Sequence, residues 1–195
     1  METKTVWRFF TIAQWEEENK WLNQMAQNGW HLVRINFLLR YVFEKGSKGE
    51  YIYKLDLPDN IEYRDNELSY RDFLTECGID IVCEQKQWLY LRKKSSDGPF
   101  DKKDDLFPKL IMCNKAYSYA IDTLTKLLRY FAILLVLFIL ALNILDQPTI
   151  KNILKGMIMG VGIGAIWSIA IVWVPLLNNL RKKMNKLVSE IAIKH

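Results

Sequence analysis

Two histidines, His31 and His195, and three cysteines, Cys77, Cys83 and Cys113, are the first side chains to weigh for nucleophilic, metal-ligating or proton-shuttling chemistry. Such chemistry needs a set: a nucleophile or ligand, a base, and a group that orients it. No set forms. The cysteines are odd in number and show no CxxC spacing, which fits reduced thiols in or near a core. There is no HExxH, no GxSxG, no Walker loop and no GxGxxG after a strand. His31 lies alone in a strand-like run, and His195 is the last residue. The expectation is a non-catalytic protein with no metal and no cofactor.

The elements around His31 are sharply punctuated. WLNQMAQNGWHLV, residues 21–33, runs from an amphipathic helix pattern through Asn-Gly directly into a strand pattern. FLTECGIDIV, residues 73–82, does nearly the same. A helix C-terminus favours a residue at positive φ, which glycine adopts without a Cβ penalty, so Gly29 and Gly78 are predicted to be helix stops with φ > 0. At the constant offset of 49 positions that separates them, Met25 falls on Leu74, Leu32 on Ile81, Val33 on Val82, Tyr41 on Tyr90, Val42 on Leu91 and Lys45 on Lys94. Residues 13–45 and 67–94 are therefore predicted to superpose as helix–strand–strand units related by a pseudo-twofold.

Thr5–Thr11 reads as a strand, Ala13–Asn28 as a helix with Glu16, Glu17 and Glu18 in its favourable first turn, and Trp30–Phe37 and Leu39–Glu44 as strands. Tyr51–Leu57 alternates, with Tyr51, Tyr53, Leu55 and Leu57 on one face, until Pro58-Asp59-Asn60 breaks it. Glu67–Glu76 is the second helix; Asp80–Gln85 and Trp88–Lys93 are the last strands. The predicted fold class is α+β: a two-layer domain of duplicated βαββ units, with an antiparallel sheet and two helices on one face, over residues 1–95. A linker and juxtamembrane helix follow over 96–126.

Charge divides the chain. Residues 1–126 hold 19 Lys and Arg against 20 Asp and Glu, whereas residues 127–195 hold 8 against 2. The basic third is also the apolar third, which points to a membrane surface and away from nucleic acid. Residues 127–145 carry one charge, Arg129, and residues 156–177 carry none; both are long enough to cross a hydrocarbon core of roughly 30 Å. This is read as a transmembrane hairpin, residues 127–177. Lys109, Lys115, Lys126 and Arg129 flank it on one side and Arg181, Lys182, Lys183 and Lys186 on the other, against Lys151 and Lys155 in the loop. The bias places both termini in the cytoplasm, in agreement with an N-terminus that shows no signal peptide.

Gly156, Gly160, Gly164 and Ser168 repeat every four residues, a spacing that lets helices approach closely. The first span is the expected packing partner and a second copy the runner-up, giving a homodimer. In residues 178–195, Leu180, Met184, Leu187 and Ile191 share a helical face opposite Arg181, Lys182 and Lys186, a pattern suited to the anionic membrane surface or a partner helix.

Three runs together, WLNQMAQNGWHLV, YVFEKGSKGEYIYKLD and FLTECGIDIVCEQKQWLYLRKK, resemble the bacterial family known as domain of unknown function 2812, over about residues 4–95. Members commonly carry C-terminal transmembrane segments and are often encoded beside PadR-like transcriptional regulators, so the resemblance implies a regulatory role with such a regulator as partner. Ile79-Asp80 stands in the second copy where Trp30-His31 stands in the first, which marks Trp30 and His31 as candidate partner-binding residues. The expected function is a membrane-anchored regulatory or sensing module that binds a protein at the cytoplasmic membrane face. The alternative is an accessory subunit of a membrane transporter or export system. Few polar groups interrupt the spans, which favours the regulator.

Overall fold

A computed structural model describes residues 2–36, 40–58, 67–85, 88–101, 106–144 and 148–194. The expected break at 58–60, the start of the Leu39 strand, the turn at 146–149 and His195 lie wholly or partly outside the described residues.

The chain begins with β1 (Thr3–Trp7), a 3₁₀ turn (Ile12–Gln14) and α1 (Trp15–Gln27). The β1 strand is shorter than the Thr5–Thr11 pattern suggests, because Trp7 pairs with Arg40 at the end of its neighbour. Beyond it, Thr11 turns the chain into the helix: its backbone N–H and its hydroxyl both donate to Gln14 Oε1 at 3.0 Å. β2 (Trp30–Asn36) and β3 (Arg40–Lys45) follow, and β1–β3–β2 make an antiparallel sheet. β4 (Tyr51–Asp56), α2 (Glu67–Glu76), β5 (Asp80–Gln85) and β6 (Trp88–Lys94) supply a second antiparallel sheet, ordered β4–β6–β5. Gly29 and Gly78 both end their helices at positive φ, +79° and +69°, as predicted.

One expectation is corrected. The helices do not share a face of one sheet. Antiparallel partners point to the same side, and Leu55 pairs with Tyr90 while Asp56 pairs with Leu89. Leu55 and Tyr90 pack into the core that holds α1, whereas Leu89 and Leu91 pack with Leu74 of α2. The second sheet is thus covered on both faces, by α1 and by α2. The offset of 49 also breaks. A register shift falls between Leu32 and Arg34 in β2 and between Ile81 and Cys83 in β5, so up to that point the offset holds. Past the hairpins it does not: Tyr41 is opposite Ile35, but Tyr90 is opposite Cys83 and not Glu84. The segment joining β5 to β6 is one residue shorter than that joining β2 to β3. A slip of one residue exchanges the two faces of a strand. Leu89, not Tyr90, takes the role of Tyr41, and Tyr90 is turned toward α1.

The C-terminal part is helical. α3 (Phe107–Ile144) has 38 residues, about 57 Å at 1.5 Å per residue. α4 (Pro148–Ser168) passes through a π turn (Ile169–Trp173) into α5 (Val174–Lys194). Pro175 explains the wide turn: it has no N–H to give to Ile171, and its ring would clash with that carbonyl in a regular helix. Two helical stretches, Phe107–Leu140 and Met159–Ile193, are long and apolar enough to cross a membrane, each with an 18-residue window of mean hydropathy 2.0 and no burial.

The α/β part and the helices share their cores. Met112 and Cys113 of α3 and Leu187 of α5 join Trp21, Leu22 and Phe43 in one cluster. Ala116, Ala120 and Leu180 close around Ala13 in a second. A unit cut at residue 95 would leave these core residues behind.

Candidate functional site

α1 owes its site to the third of its three opening glutamates. Trp15, Glu18, Leu22 and Ala26 recur at three- and four-residue spacing on the buried stripe. Glu16 and Glu17 point elsewhere, but Glu18 is 6% exposed. Two phenols meet it from different sheets. Tyr41 donates its hydroxyl hydrogen to Glu18 Oε1 at 2.6 Å, and Tyr90 donates to the same oxygen at 2.7 Å. The slip that turns Tyr90 toward α1 is what brings both phenols to one carboxylate.

Burial raises the proton affinity of Glu18 above the usual carboxylate range, and the two hydroxyl donors oppose it. Both phenols are pushed up, first by burial and then by the Glu18 charge. The neighbouring Cys83 thiol is pushed up by burial to about 12, which keeps it a protonated, unreactive thiol. Glu18 Oε2 takes no hydrogen bond among the described residues.

Glu18, Tyr41 and Tyr90 line a cavity of about 310 Å³. Its other walls come from three places. Phe10, Thr11 and Trp15 belong to the segment entering α1; Gln85 and Trp88 belong to the β5–β6 hairpin; Tyr119 of α3 and Trp173 of the π turn belong to the helices. The cavity therefore lies where the α/β part meets the helical hairpin. Among the described residues the cavity presents one buried acid, whose Oε2 takes no hydrogen bond, in a lining made largely of aromatic rings.

The residues singled out from sequence fall elsewhere. His31 is 7% exposed. Its Nε2 is 2.9 Å from the Ser47 carbonyl, its ring meets Tyr51 edge to face at 5.0 Å, and a Cβ on Gly46 would sit 2.3 Å from its Cδ2. His31 thus holds the β3–β4 turn. Trp30 is half-buried, with the Lys4 and Lys45 ammonium groups over its ring at 5.3 and 4.4 Å. Among the described residues, a Cβ on Gly156, Gly160 or Gly164 meets nothing within 4 Å, and Ser168 donates its hydroxyl back to the Ala165 carbonyl. Met157 and Val161 of α4 line a small apolar cleft with Phe131, Leu134 and Phe138 of α3. In α5, Leu180 and Leu187 are buried within the chain, and Lys183 pairs with Glu16 at 2.5 Å over the Trp15 ring. Arg181, Lys182 and Lys186 remain exposed.

Glu18, Tyr41 and Tyr90 were missed as a site. A signal existed for Glu18, a carboxylate on the apolar stripe between Trp15 and Leu22. None existed for the phenols, whose convergence depends on the hairpin slip.

These features define a class: a small α+β domain welded to an apolar helical hairpin, with an open cavity at the weld. The chain belongs to the family described as protein of unknown function DUF2812, which it matches over residues 14–121. The match runs past the sheets into α3 and ends just after Ala116 and Ala120, the last α3 residues buried under the domain. No curated protein and no solved structure matches the chain.

Proposed function

We propose that the protein is a non-catalytic, membrane-anchored sensing or regulatory module. The observation that carries this reading is the continuity of α3, which begins in the domain core at Met112 and Cys113 and runs without interruption to Ile144. α5 returns from the second apolar stretch into the same cores. A flexible tether would merely localise a domain; here a shift or rotation of either helix must move side chains in the domain, and the converse. The charge bias supports an orientation with both termini in the cytoplasm.

The partner is a protein at the cytoplasmic face, with a PadR-like transcriptional regulator first in line from the family resemblance and no direct contact with nucleic acid. The face of β1–β3–β2 turned away from α1 is the surface we assign to it; His31 lies on that face opposite Glu44, and Trp30 lies at the margin of the opposite face, against the core that holds α1. The open Gly156–Ser168 stripe leaves room for a second copy in the bilayer, and Arg181, Lys182 and Lys186 for anionic lipid. We read the two halves as copies of one βαββ unit; the matching strand orders, the shared bulge position and the paired glycines support this.

The test is photo-crosslinking in intact membranes from positions 5 and 42, on the outward face, to a co-expressed PadR-like regulator. The reading predicts a specific adduct that is lost when one alanine is inserted after Lys126, which rotates the helix by about 100°, and recovered when four are inserted. An adduct indifferent to the insertions leaves a passive anchor, and no adduct removes this partner.

A further inference from the structure

We propose that the cavity at the junction binds a hydrophobic monocation, an aryl- or alkylammonium whose charge faces Glu18 Oε2 and whose substituents lie among the surrounding rings. The proposal shares with the functional reading only the placement of the hairpin in a membrane.

The chemistry of the walls selects the ligand. A buried carboxylate is costly unless its oxygens are satisfied. Tyr41 and Tyr90 satisfy Oε1 only, and apart from these two hydroxyls the influence on Glu18 is burial, with no cation contributing. The surrounding rings present electron-rich faces, which attract cations and more strongly when desolvated. The chain already uses rings of this wall in that way: Arg8 lies 5.0 Å from the Phe10 centroid and Lys183 lies 5.2 Å from that of Trp15. Lys183 is committed to Glu16, so it does not neutralise Glu18. Anions are disfavoured by the same carboxylate and ring faces. A strongly hydrated metal ion gains little from rings, and among the described residues no three His, Cys, Asp or Glu converge to hold one.

Size and position narrow the class. About 310 Å³ is at the small end of the roughly 300–1,000 Å³ usual for ligand sites, and Glu18, giving up its proton to solvent as a cation enters, neutralises one charge. Val172 and Leu176 give the hairpin side of the cavity an aliphatic wall, so the ligand carries apolar substituents. Because Tyr119, Trp173 and Leu176 come from the helices and Glu18 from α1, an occupant touches the domain and the hairpin together.

The experiment uses the full-length chain in nanodiscs of zwitterionic lipid. Benzyltrimethylammonium is titrated against neopentylbenzene, its uncharged carbon isostere, with tryptophan emission and calorimetry as readouts. The proposal predicts saturable binding of the cation, at least tenfold tighter than the isostere, and at least tenfold weakened in Glu18→Gln. Equal affinity for the two probes, non-saturable uptake, or an unchanged affinity in folded Glu18→Gln overturns it. Should Glu18→Gln fail to fold, Trp173→Leu decides, since it removes a ring and leaves the carboxylate. A several-fold weaker affinity for the cation supports the proposal, and an unchanged one overturns it.

Discussion

Three consecutive glutamates open α1, and only the third is buried, where Tyr41 and Tyr90 both donate to it. Its raised proton affinity has a stability consequence with a definite sign. Above about 4.5 the unfolded chain releases this proton while the folded protein keeps it, so stability falls as pH rises from there through the folded value. Glu18→Gln keeps an acceptor for both phenols and has no proton to lose. The stability of the wild type relative to Glu18→Gln should therefore decline as pH rises above about 4.5 in paired denaturant titrations; a difference that is flat or grows with pH contradicts the buried acid. The β3–β4 turn gives a second prediction at this scale. Gly46→Ala forces its Cβ into the His31 ring and should cost about 1–3 kcal/mol. In a His31→Ala background the same change should cost less than about 1 kcal/mol, and additive costs would refute the contact. His31 was visible in the sequence as a lone histidine, but its work was not, because the turn that covers it contributes a backbone carbonyl and a missing side chain.

At the scale of elements, the local signals were the legible ones. The two helix stops at Gly29 and Gly78 and the alternation of Tyr53, Leu55 and Leu57 all follow from backbone preference and period, which neighbours in sequence determine. The faces were not legible. A hairpin connection one residue shorter turned Tyr90 over, and an ungapped comparison of Tyr41 with Tyr90 hides that slip. The α5 pattern was also read correctly as amphipathic, but an apolar stripe does not say whether membrane or protein covers it. In the structure, Leu180 is fully buried against Ala13, Ala116 and Ala120, while Val188 is exposed. Leu180→Asp should lower the unfolding free energy of the full chain in micelles by roughly 3 kcal/mol or more, since it buries an unpaired carboxylate. Val188→Asp should stay within about 0.5 kcal/mol. Equal, small effects from both would place α5 on the lipid instead of on the domain.

At the scale of the molecule, a 38-residue helix and a returning helix turn the α/β domain and the apolar hairpin into one body. The orientation we propose from charge bias puts both termini in the cytoplasm. A reporter active only outside the cell should be active when inserted at Gln147 and silent after His195; the opposite pattern reverses the orientation. The central claim is the continuity itself, and hydrogen exchange by mass spectrometry on the full chain in lipid nanodiscs tests it most directly. Backbone amides of residues 107–126 lie outside the bilayer in this account, so lipid cannot protect them. The account predicts that they exchange as slowly as those of β3 at the centre of its sheet. Exchange of 107–126 within seconds, beside a protected β3 and a protected span, would show a loose linker where the structure has a rigid weld.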